Sequence, residues 1–126
     1  MTQRPLSPHL QTYRLPLLPI VSILNRAAGV ALAVGLLPLS AWLIALGMGE
    51  GAYSFVTGLL ISPPGQVARI GWTFALIWHG GNGVRHLIWD MGKGLELATA
   101  QRSAYILIGL SVLMTAAIWI WIWGQV

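Results

Sequence analysis

The chain has 126 residues, of which 56% are hydrophobic and 8% charged, with a formal net charge of +4. Soluble domains carry about 25% charged residues, so this composition excludes an ordinary soluble globular domain and points to an integral membrane protein. The seven basic residues are dispersed, which excludes a nucleic-acid-binding patch and makes them topology signals, and the absence of cysteine excludes disulfides, cysteine-ligated zinc and cysteine-ligated iron–sulfur clusters from this chain.

The first segment, residues 1–18, opens "MTQRPLSPHLQTYRLP" and has no early apolar run of the secretory type. Its Ser7, Pro8 and His9, with Arg14, form a polar lead-in, expected to lie at the interface and to touch a soluble partner. The first helix is then its own insertion signal, which favours a bacterial inner membrane over the mitochondrial inner membrane.

The first span is expected over 19–49, because Ala27 to Gly49 is an uncharged apolar run of 23 residues, about 34 Å of helix against a hydrocarbon core of about 30 Å. Pro19 suits its first turn, and Pro38 is expected to kink it. The stretch "GAYSFVTGLLISPPGQ" is too short to cross and ends in a Pro-Pro-Gly turn, so it is expected along the surface. The second span, 66–91, has only 15 formally uncharged residues between Arg69 and Arg85, about 22 Å of helix. A full crossing must extend to Asp90, with Arg69 snorkelling at the other face and Arg85 a topology anchor paired with neighbouring charges. The third span, 102–124, is free of charge from Ser103 to Trp123, and its Trp119, Trp121 and Trp123 point in different directions on a helix, as an interfacial girdle does. The fold class is therefore all-α integral membrane, one domain over 1–126 with three transmembrane helices. Arg4, Arg14 and Arg26 precede span one, and Arg85, Lys93 and Arg102 flank the second connection, so the positive-inside rule puts the N-terminus in the cytoplasm.

Two polar clusters lie toward that inner face. His79 is 11 residues before Asp90, about 16 Å along the helix and near the midplane. It is either an interhelical hydrogen-bonding group or an axial haem ligand, imidazole being a common ligand of haem iron. Gly80, Gly81 and Gly83 suit a flat macrocycle and close helix packing equally. His86 is about 10 Å further along the same helix and cannot bind the same iron. His9 lies outside the membrane, and within this chain Met114 is the possible second ligand at similar depth. Otherwise that ligand belongs to another subunit. Ser22 and Arg26, four apart, share a helix face. They either hold a lipid phosphate or form a quinone-head site, with a hydroxyl donor for a carbonyl oxygen and a cation favouring the reduced, anionic forms. His86 and Asp90, also four apart, are candidates for proton delivery.

These fragments together resemble the cytochrome b556 membrane-anchor subunits of succinate dehydrogenase. The resemblance is carried by "RPLSPHLQTYRLPLLPIVSILNRAAG" (residues 4–29) and "HGGNGVRHLIWDMG" (residues 79–92). It implies that His79 is one axial ligand of a b-type haem, with the second a histidine of a small three-helix anchor packed against this chain. It implies that Ser22 and Arg26 belong to a ubiquinone site with Asp90 close by, and that Asn25 stands where the family has a propionate-holding histidine. Asn25, Arg26 and His86 then join His79 on the haem side. The implied partners are a flavoprotein that oxidises succinate, an iron–sulfur protein, the small anchor, membrane lipid and quinone. No residue here performs succinate oxidation. A fumarate reductase anchor using menaquinone is one alternative. Another is a small transporter subunit in which "HGGNG" breaks the second helix, since broken helices form midplane sites.

Overall fold

A computed structural model describes residues 14–125 of the chain; Ser7, Pro8 and His9 lie outside them. The described residues form four helices: α1 Leu17–Met48, α2 Glu50–Ile61, α3 Pro63–Asp90 and α4 Leu97–Trp123. The class is all-α, as the sequence leads one to expect, and the three long helices lie within a few residues of the expected spans. α1 and α4 are each long and apolar enough to cross a membrane. α3 is long enough, with 28 residues, about 42 Å.

α3 begins earlier than residue 66, and the reason is local. The Ser62 hydroxyl accepts from the Gly65 N–H at 3.3 Å, while Pro63 and Pro64 occupy the first turn, where a missing N–H costs nothing. What reads as a turn is a capped helix start. α3 then runs unbroken through His79–Gly83. This removes the premise of the transporter alternative, because no unwound segment interrupts it.

The segment expected along the surface is helical. It forms α2, which doubles back on the end of α1: the Trp42 indole donates to the Thr57 hydroxyl at 3.3 Å and packs on the Tyr53 ring at 6.1 Å. Its 12 residues make about 18 Å, too short to cross.

α1, α3 and α4 pack as an antiparallel bundle around Val21, Trp78, Ala104 and Leu107. Along α1 and α3 the pairs Leu32–Trp72 and Asn25–His79 are in contact. Along α3 and α4 the pairs Thr73–Trp119 and Arg85–Ser103 are. The helices approach closely where side chains are small. A Cβ on Gly81 would run into the Leu107 side chain, so that glycine belongs to the α3–α4 contact, whereas Gly80 and Gly83 face open space. Gly81→Val is expected to destabilise the bundle by about 1–3 kcal/mol through overpacking, read as a lower thermal midpoint of the purified protein. Gly83→Ala should leave that midpoint in place.

The α3–α4 connection is short because Gly92 and Gly94 take φ of +73° and +70°, a region L side chains avoid, and Trp89 Nε1 donates to the Gly94 carbonyl at 3.1 Å. The tryptophan girdle is corrected in one member. Trp119 is 5% exposed, donates to the Thr73 hydroxyl at 3.3 Å and carries the Arg69 guanidinium 5.2 Å above its ring. Trp121 and Trp123 remain outward, as do Leu37, Leu113 and Ile120.

Candidate functional site

His79 sits where α3 meets α1. Its Nδ1 lies 3.1 Å from the Asn25 carbonyl oxygen. A carbonyl only accepts, so Nδ1 carries the proton and Nε2 is the basic nitrogen. A metal-bound imidazole is oriented in this way, with the second nitrogen donating to a carbonyl. Gly29, one turn further along α1, makes room for it, because a Cβ there would stand 3.0 Å from His79 Cε1. Gly29→Ala is therefore expected to push the ring by a few tenths of an ångström and to perturb any cofactor spectrum it tunes. Among the described residues, no three His, Asp or Glu side chains cluster as a bare ion would need. A single oriented imidazole on an apolar helix pair fits a porphyrin, which supplies most of the iron's ligands from its own nitrogens.

Met114 and His79 are not brought together. Met114 is half exposed on α4, while the His79 ring rests against α1.

Ser22 and Arg26 do meet: Arg26 Nη2 and Nε lie 3.4 Å from the Ser22 hydroxyl and carbonyl oxygens. Both bonds are long, and both residues are exposed. Beside them α1 and α3 enclose a cavity of about 180 Å³ whose polar wall is Ser22, Asn25, Asn82, Arg85, His86 and Trp89. The Asn25 side-chain oxygen is buried there without a hydrogen-bond partner. His86 is exposed and stands edge-on to Trp89 at 5.0 Å. Asp90 ends α3 on the surface and does not line the cavity.

Arg85 departs most from its reading as a topology anchor. It is 8% exposed. Its Nη1 donates to Asn82 Oδ1 at 2.7 Å, Nη2 to the Ala100 carbonyl at 3.0 Å and Nε to the Ser103 hydroxyl at 3.1 Å. Its guanidinium lies 4.7 Å from the Trp89 ring centroid. These acceptors offset the cost of removing a cation from water, and none of them is a carboxylate. Arg85, Asn82 and Trp89 were missed as site residues. The available signal is the Asn82–Arg85 spacing of three, which puts amide and guanidinium on one helix face.

A family model described as the succinate dehydrogenase/fumarate reductase transmembrane subunit matches residues 1–118. The chain is 42% identical over 111 residues to a succinate dehydrogenase cytochrome b556 subunit of Paracoccus denitrificans, covering 88% of this chain and 85% of that protein. It is 39% identical over 120 residues to the mitochondrial succinate dehydrogenase cytochrome b560 subunit of Sus scrofa, covering 93% and 70%. A cytochrome b556 subunit of Rickettsia felis is 31% identical over 118 residues, covering 94% and 92%. Similarity of this extent, on an all-helical bundle that orients one deep imidazole, means that the chain belongs to the succinate dehydrogenase/fumarate reductase transmembrane subunit family, as a membrane subunit of the cytochrome b type.

Proposed function

We propose that this chain is the haem-bearing anchor of a succinate dehydrogenase and forms part of its ubiquinone-reducing site. α1, α3 and α4 cross the membrane as one domain with the N-terminus cytoplasmic, and the outward apolar faces pack on lipid and on a second three-helix anchor. The observation that carries the reading is the His79 ring, fixed through Nδ1 by the Asn25 carbonyl with Nε2 as its basic nitrogen. A bound b-type haem supplies a one-electron redox centre here. His79 would hold its iron through Nε2, and a histidine of the partner anchor would be the other protein ligand.

The rest of the site binds, orients and moves protons. The Ser22 hydroxyl donates to a quinone carbonyl, Arg26 favours the reduced, anionic forms, and His86 and Asp90 hand over protons from the inner face. Asn25 positions His79 through its backbone carbonyl and offers its side chain to the cavity, where its amide would donate to a haem propionate. Succinate oxidation belongs to a flavoprotein, and an iron–sulfur protein passes the electrons on.

The relatives named above are succinate dehydrogenase subunits, which supports this direction over fumarate reduction. Quinone extracted from the complex purified through this chain should be ubiquinone, with flavoprotein and iron–sulfur subunits present. Menaquinone as the predominant species would assign the fumarate reductase alternative instead.

A further inference from the structure

Arg85 is a buried cation that none of its hydrogen-bonded neighbours neutralises: an amide oxygen, a carbonyl and a hydroxyl hold it. A guanidinium has five N–H donors, so two remain after these three bonds. It forms one wall of the cavity that also presents Ser22 and the unpartnered Asn25 oxygen. Arg26, by contrast, is exposed and held by two 3.4 Å contacts within its own helix. Fixed charges in water-poor sites act strongly on developing charge, because nothing need reorganise when that charge appears.

We infer that Arg85 sets the electrostatic potential of the quinone pocket, acting across the cavity on the part-reduced ring rather than only bracing α3 against α4. The inference rests on the quinone reading above. Reduction takes two electrons from the iron–sulfur partner and two protons from water by way of the inner-face groups. After the first electron and before the first proton, the ring carries a net negative charge, and the Arg85 guanidinium stabilises that form. Arg85 is thus a positioning residue for charge, and Asn82 holds it in place.

Asn82→Asp separates charge from bracing. It keeps the acceptor 2.7 Å from Arg85 Nη1 and places a carboxylate against the guanidinium. Ser103→Asp does the same from α4, and stands in for Asn82→Asp should that variant not assemble. The readout is the radical signal of one-electron-reduced quinone in an equilibrium redox titration of the membrane-bound complex. With either carboxylate it should fall about tenfold, the scale Coulomb's law gives for one unit charge about 10 Å away at intermediate dielectric. Subunit content and dye-linked succinate oxidation should stay unchanged. Arg85→Lys, which keeps the charge and loses the fork, should retain the signal within about twofold.

An unchanged radical in both carboxylate variants, with Arg85→Lys alone disrupting assembly, makes Arg85 a brace and overturns the inference. Arg26→Leu measured alongside distinguishes the two levels. If it lowers the radical while the carboxylate variants do not, Arg85 alone is rejected. If none of the three changes the signal, the quinone pocket itself is misplaced.

Discussion

A chain carrying His79→Ala is expected to assemble with its partners but to lose its b-type haem spectrum, by more than the tenfold to hundredfold that loss of a supporting contact to a metal ligand costs. The reason is geometric. The His79 ring is oriented by an Nδ1–H bond to a backbone carbonyl, which side-chain substitutions on α1 do not remove. The chain also brings no replacement ligand to that place, since His86 is seven residues along, about 10 Å away, and Met114 faces outward from α4. Gly29→Ala, by moving the ring without deleting it, should shift the spectrum rather than abolish it. An unaltered reduced-minus-oxidised spectrum in His79→Ala removes the residue from the haem and leaves it an interhelical hydrogen bond.

Arg26→Leu carries the second large effect. Hydrogen bonds to charged groups contribute about 1.5–3 kcal/mol, or about ten- to a hundredfold in rate if formed in the transition state. Quinone reduction should fall by at least that factor, while succinate oxidation by an artificial dye, which needs only the partner subunits, persists. Arg26 is exposed and contributes little to the bundle, so its loss should not unfold the chain. Full quinone turnover in this variant would return Arg26 to lipid binding.

Most of the bundle was legible because lipid-facing apolar surface needs no long-range knowledge. Uncharged runs long enough to cross mark α1 and α4, and "HGGNGVRH" marks α3 by its polar residues alone. Three features were not legible, each decided by tertiary contact. α2 is a helix because Trp42 and Tyr53 pack together across Gly49, a pairing no periodicity announces. Trp119 leaves the expected girdle because Thr73 and Arg69 on α3 take its indole. Arg85 looks like an anchor in sequence, since basic residues near a span end usually reach for water. It turns inward because Ala100 and Ser103 at the start of α4 offer oxygen atoms within reach. In the site, spacing brought Ser22 to Arg26 correctly. It could not show that the Asn25 backbone, rather than its side chain, would meet His79.

The central claim is that this membrane subunit is a haem-bearing anchor, and a reduced-minus-oxidised absorbance spectrum of the complex purified through a tag on this chain tests it most directly. The account predicts a b-type haem signal together with stoichiometric flavoprotein and iron–sulfur subunits. A complex containing those subunits and no haem would contradict it, and would reduce the oriented His79 ring to a packing contact between α1 and α3.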